Sequence, residues 1–150
     1  MSSCMVVQDA LRAAAEQIAD AAEGWRRAYD DWQRAINLRD RLCEQMDRRV
    51  TNAAGGLSVA RFEATCRRRY FHDIEDAKAK ARAVRARPAL HAAIAERDEV
   101  RAAADVKVLA ARIVLAEASK TMAHFGTFGA EMIGLGETEL RRLARRPPIP

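Results

Sequence analysis

The chain has 150 residues, of which 49% are apolar, but it contains only two Trp, two Tyr and four Phe. This set excludes a thick globular core and favours one domain with thin helix–helix seams, in which small residues separate a few large ones. Glycine and proline are scarce, at seven and four residues, which favours an all-α fold. The formal net charge of +5 is compatible with nucleic-acid contact, although a dedicated nucleic-acid-binding protein usually concentrates its charge more strongly.

The cysteines and the hydropathy pattern exclude further classes of protein. Cys4, Cys43 and Cys66 have no CxxC spacing, which argues against a disulfide framework and against a zinc site. No basic segment followed by an apolar one marks a signal peptide. The most apolar stretch, residues 106–118, is interrupted by charged residues and is too short to span a bilayer. We therefore expect a cytoplasmic protein, or one assembled into a particle made in the cytoplasm.

The first predicted helix runs from about residue 6 to residue 51, where a heptad repeat continues for nearly six heptads. So strict a 3.5-residue repeat is typical of a left-handed coiled-coil seam. The d positions are Leu11, Ile18, Trp25, Trp32, Arg39 and Met46. The a positions are Ala15, Ala22, Tyr29, Ile36, Cys43 and Val50.

Paired glycines at positions 55 and 56 predict a turn, followed by a second helix from about residue 59 to residue 86. An antiparallel hairpin centred on this turn would pair residues whose numbers total about 109. Trp32 would then face Ala77, so that a large residue meets a small one, as close packing demands. The predicted seam of the second helix consists of Phe62, Cys66, Tyr70, Ile74, Ala77, Ala81 and Val84.

A third helix is predicted from about residue 89 to residue 123, with Pro88 either starting it or kinking a continuous helix. Arg97 and Arg101 lie at its seam positions without an obvious mate, which favours contact with another chain. Val106, Leu109 and Ile113 widen the apolar face, so its middle is expected to contact two neighbours. The predicted seam consists of Leu90, Ile94, Arg97, Arg101, Ala104, Val108, Ala111, Leu115, Ala118 and Met122.

Residues 125–150 are predicted to form a C-terminal arm, separate from a helical bundle over residues 1–124. Glycines are expected to prevent a stable helix before a short basic helix from about residue 137 to residue 145, and prolines end the chain in an extended tail. Such a segment either docks on a partner or folds back on the bundle. Its candidate partner-binding residues, besides Arg97 and Arg101, are Phe125, Phe128, Met132, Ile133, Leu135, Arg141, Arg142, Arg145 and Arg146.

The strongest basic feature lies in the second predicted helix and supports an alternative function, nucleic-acid binding by a regulatory protein. Flanking charges of this kind normally pair with acids across a seam, and the first helix offers Asp20, Glu23, Asp30 and Asp31. The basic residues are Arg67, Arg68, Arg69, Lys78, Lys80, Arg82, Arg85 and Arg87.

No pattern in the sequence identifies a reaction, a metal site or a cofactor. His72 lies beside acidic residues, but three or more convergent ligands are needed for a metal. The long helices, the basic C-terminal region and the Pro-rich end resemble in general style helical assembly proteins, including scaffold, adaptor and internal proteins of bacterial viruses. That resemblance transfers no functional residue. We expect a non-enzymatic assembly or adaptor protein that acts through protein–protein contacts in a homo- or hetero-oligomer, without a cofactor or membrane contact.

Overall fold

A computed structural model describes residues 2–70 and 74–148, with side chains for residues 3–65, 77, 78 and 80–148. Over these residues the backbone forms four α-helices and no strand, and the all-α prediction is confirmed. The helices are α1 (Ser2–Tyr70), α2 (Ile74–Ala123), α3 (Gly126–Met132) and α4 (Glu137–Ala144). Two compact units are present, unit 1 (Met1–Asn37 with Val106–Pro150) and unit 2 (Leu38–Asp105).

The predicted turn at Gly55 and Gly56 is wrong, because α1 continues through both glycines. The heptad repeat of its first part also continues, and it places Leu57, Ala60 and Ala64 on the buried face. Each glycine disfavours a helix by only about 1 kcal/mol. Burial of a leucine and two alanines on the same seam offsets that cost, so tertiary packing overrides the local turn signal.

Ion pairs within unit 2 define the pairing of the two long helices there. Arg39 Nη1 lies 3.7 Å from Asp105 Oδ1, and Arg49 Nη1 lies 3.1 Å from Glu96 Oε1. Because residue numbers rise along α1 as they fall along α2, the two segments run antiparallel. Paired residues are equally distant from residue 72, not from the glycine pair, so the predicted register is wrong.

Unit 1 is built around a row of aromatic residues on α1. Trp25 stacks on Tyr29, with ring centroids 5.1 Å apart, and Tyr29 meets Trp32 edge-on at 5.9 Å. The buried Trp25 Nε1 donates a 2.9 Å hydrogen bond to Ser119 Oγ on α2, so this indole is both packed and satisfied. Trp32, predicted to face Ala77, instead has the Arg112 guanidinium 5.8 Å from its ring centroid.

The buried faces of the long helices agree with the sequence in part. The predicted seam positions of α1 from Ala22 to Val50 are all buried or half-buried, and those of α2 from Leu90 to Met122 are too, except Arg101. The seam predicted for residues 62–84 is wrong at Phe62 and Val84, which are 69% and 72% exposed, and at the exposed Ala77, whereas Ala81 is half-buried. Its Cys66, Tyr70 and Ile74 side chains lie outside the described residues. Pro88 lies inside α2, which is one continuous helix.

The extended arm predicted after α2 is wrong for the residues up to 144. This segment forms α3 and α4, and its apolar side chains pack on the core cluster of unit 1. The expectation that its glycines prevent a stable helix before residue 137 is therefore wrong. Leu140 and Leu143 of α4 are buried with Leu115 and Met122 of α2. This burial supplies the stability that such short helices lack in isolation.

Candidate protein-binding surfaces

Three glycines allow the C-terminal segment to fold back and lie against α2. Gly126 and Gly134 have φ angles of +60° and +74°, a conformation that L side chains rarely adopt. Gly129 is buried in α3, where an added Cβ would overlap the Met122 carbonyl oxygen. Close approach of α3 to the end of α2 therefore requires glycine at position 129.

Arginines from the long helices bind the backbone carbonyls at the ends of α3 and α4. Arg112 donates hydrogen bonds to the carbonyl oxygens of Leu143, at 2.8 Å, and Arg142, at 3.4 Å. Arg26 donates to the Met132 carbonyl oxygen at 3.0 Å. A guanidinium suits these positions, because the last carbonyls of a helix have no partner within it and carry partial negative charge. Burial, and then the positive charge of Arg142, lowers the pKa of Arg112.

Most apolar residues of the predicted C-terminal arm pack inside unit 1. Phe125, Met132, Ile133 and Leu135 are partly buried against the core cluster. Phe128 differs, because its side chain is largely exposed. The sequence left two interpretations open, and folding back describes the position of this segment in unit 1. Among its described residues, Phe128 is the one large apolar residue that is largely exposed.

The basic residues of the same segment are mostly engaged by nearby acids. Arg141 pairs with Glu137 at 2.7 Å, Arg142 with Glu139 at 2.5 Å and Arg146 with Glu117 at 3.1 Å. The hydrogen bond from Arg142 lowers the pKa of Glu139 and raises that of Arg142. Arg145 is exposed. Since exposed pairs of this kind contribute little stability, they chiefly reduce the positive charge that a partner would meet.

The α2 segment of unit 1 has a second apolar surface, on the side opposite its buried seam. Val106 and Val114 are 66% and 58% exposed, and Ile113 is also exposed. Val106 and Ile113 are seven residues apart, so they lie on one line along the helix, and the exposed Ala110 lies between them. We call Val106, Ala110, Ile113 and Val114 the α2 stripe. The sequence had singled out this middle segment for its wide apolar face.

Arg97 and Arg101, predicted to lack a mate within the chain, have acidic or thiol neighbours in unit 2. Arg97 Nε lies 3.3 Å from Asp98 Oδ1. Hydrogen bonding with Cys43, followed by the charges near it, raises the pKa of Arg101 above its ordinary value. The two arginines therefore have neighbours within unit 2, and their contact with a partner chain stays a prediction.

The basic run of α2 lies in unit 2, where its acid partner differs from those that the sequence suggested. Arg82 pairs with Glu63 at 3.3 Å, and not with the acids of the first heptads. Lys78, Arg82 and Arg85 line one shallow surface depression. Lys80 and Arg87 are exposed. The side chains of Arg67, Arg68 and Arg69 lie outside the described residues.

The described part of the chain brings no group of candidate metal ligands together. Among residues whose side chains are described, no three His, Cys, Asp or Glu residues come together as metal ligands. His72 lies outside those residues. None of the described helices has a segment that is long and apolar enough to cross a membrane.

Comparison of the chain with protein-family models, curated proteins and solved structures finds no match. The surfaces with the clearest chemical character are the α2 stripe in unit 1 and the basic depression in unit 2.

Proposed function

We propose that this protein is a non-enzymatic helical assembly or adaptor protein, in which α1 and α2 pair antiparallel in a coiled-coil-like way within each unit. It acts in an oligomer through protein–protein contacts. The observation that carries this proposal is the α2 stripe, because three branched apolar side chains are exposed on a helix whose opposite face is already buried. The proposal includes a role as a structural or assembly component of a bacterial virus, because the protein resembles such assembly proteins in general style.

The pattern of the α2 stripe fits a helical partner. Val106, Ala110 and Ile113 recur at intervals of four and three residues, which matches one face of a helix. When a second helix covers this apolar surface, its removal from water stabilises the complex by roughly 25 cal/mol for each Å² buried. Lys107 beside the stripe and Glu117 at its end, which pairs with Arg146, are exposed and can form the polar rim of such an interface.

The experiment compares wild-type protein with the variant V106E/I113E as bait for partners and as a sample for light scattering. V59E/V84E is the matched control, because it adds the same two carboxylates at exposed valines of unit 2. We expect wild type and control to retain the same assembly, and V106E/I113E to lose it while keeping its helical content. If all three proteins retain the same partners and the same mass, the α2 stripe is not the binding surface.

Nucleic-acid binding is the second candidate, favoured by the depression that Lys78, Arg82 and Arg85 line in unit 2. Arg61 and Arg87 line a neighbouring depression together with His91. Retention on DNA would have to fall steeply with salt, because phosphate contacts release counterions. The variant K78E/R85E would abolish that retention, whereas retention unaffected by these changes would remove this candidate.

A further inference from the structure

The first part of α1 has an apolar face that continues an interface already formed inside unit 1. From Ala22 onward this face is buried, and Trp25 is the largest side chain in it. Every residue from 3 to 17 is exposed, including Leu11 at 67% and Val7 at 57%. Four residues continue the buried face towards the amino terminus at intervals of three or four. They are Val7, Leu11, Ala14 and Ile18.

The exposure of this face follows from where α2 ends. Trp25 lies beside Ser119, so the last residue of α2, Ala123, lies about level with Ala21. Residues 3–20 therefore extend past the end of α2 by about 27 Å of helix, at 1.5 Å for each residue. A helical segment of this length is marginal in water unless its apolar face packs on something. A second helix along this face would complete the seam.

The distribution of charge favours an identical helix as that partner. The charged residues of this segment lie on the side opposite the apolar face. The positions beside that face are held by neutral residues, among them Gln8, Ala10 and Gln17. Charges at such positions normally select a different partner chain or repel a like one. Because neutral residues hold these positions here, a second copy meets no electrostatic repulsion along the seam.

We propose that residues 3–20 of α1 pair with the same residues of a second copy in an antiparallel two-helix seam. This arrangement places Val7 of one copy against Ile18 of the other and Leu11 against Ala14, so each layer combines a larger with a smaller side chain. A parallel arrangement would instead set leucine against leucine and alanine against alanine. The inference goes beyond the proposed function, because it uses another surface and names the partner.

Sedimentation velocity over a range of concentrations tests this proposal with the full-length protein. Wild type is expected to form a dimer. Leu11→Glu is expected to weaken it by at least about tenfold in dissociation constant, since each dimer would bury carboxylates in an apolar seam. Arg12→Glu is the matched control, because it introduces the same residue one position away on the charged side. Val7→Glu serves as a second variant, and circular dichroism checks that each variant keeps its helical content.

Mild oxidation of the wild-type protein tests the orientation of the pair through Cys4, which is exposed. A parallel pair would bring the two Cys4 residues together, whereas an antiparallel pair separates them by about 25 Å along the seam. We therefore expect mild oxidation to form no disulfide-linked dimer through Cys4, so that the wild type and the C4S variant give the same result. A rapid disulfide dimer that depends on Cys4 would overturn the antiparallel arrangement.

The remaining outcomes separate this inference from the proposed function. A strictly monomeric wild type, or an equal loss of dimer in L11E and R12E, would overturn the pairing of α1 with a second copy. If V106E/I113E dissolves the dimer and L11E does not, self-association depends on the α2 stripe. In that case this inference fails while the proposed function stands. Loss of the dimer in L11E and V7E, with the dimer kept in R12E, supports the inference.

Discussion

Replacing both Gly55 and Gly56 with alanine is expected to stabilise the protein. Both glycines lie inside α1, neither has a positive φ angle, and an added Cβ at either position would meet no atom within 4 Å. Alanine therefore fits the folded state without strain. It also reduces the conformational freedom that the unfolded chain loses on folding.

The magnitude follows from helix propensity. Glycine is less favourable than alanine by about 0.5–1 kcal/mol at each interior helical position, so the double variant should gain about 1–2 kcal/mol in free energy of unfolding. For a chain of this size, that gain corresponds to a rise in melting temperature of about 2–8 °C. Urea denaturation followed by circular dichroism at 222 nm measures the gain, with an unchanged m-value as the check that the unfolding transition remains comparable.

Two single variants calibrate this result. Gly24→Ala lies in the same helix, also has open space at its Cβ, and should stabilise by about half as much as the double variant. Gly134→Ala should destabilise by about 1–2 kcal/mol, because position 134 has a φ angle of +74°. A loss of stability in G55A/G56A comparable to that of G134A would show that residues 55 and 56 form a turn, and would refute a continuous α1.

Three further variants test the packing of unit 1 by denaturation at equilibrium, joined by limited proteolysis for the third. Ser119→Ala should cost about 1–3 kcal/mol, because it leaves the buried Trp25 indole N–H without its acceptor, and an unchanged midpoint would show that water replaces the hydroxyl. Gly129→Ala should cost about 1–3 kcal/mol, since its Cβ would overlap the Met122 carbonyl, and wild-type stability would contradict that close approach. Arg112→Ala should cost about 1–3 kcal/mol by removing the donor to the end of α4, whereas protease resistance equal to wild type after residue 136 would contradict that role.

The periodic part of the fold could be predicted from residues alone. The heptad repeat placed Trp25, Tyr29 and Met46 on the buried side of α1, and the spacing in α2 did the same for Leu115 and Met122. A repeat of this kind is a property of neighbouring residues on one helix, so it can be recognised without knowing what covers it. The apolar middle of α2 was recognised in the same way, and it became the proposed binding surface.

The point at which the chain reverses could not be predicted in that way. A glycine pair is a strong local turn signal. The continuation of the same heptad repeat through Leu57 and Ala60 opposed it, and that repeat was the better guide. Placing the reversal at the glycines shifted every expected pair, which is why Trp32 was assigned to Ala77 and why Phe62 was expected to be buried.

The amino-acid sequence by itself determined that the chain is helical and which face of each long helix is apolar, because both depend on the residues within a few turns. Only the tertiary structure decided which residues face each other and where residues 125–144 lie. Those choices depend on contacts such as Trp25 with Ser119 and Arg112 with the end of α4, whose partners are 94 and 31 positions apart in the chain. They are set by the total burial and hydrogen bonding of the folded unit, which no local pattern records.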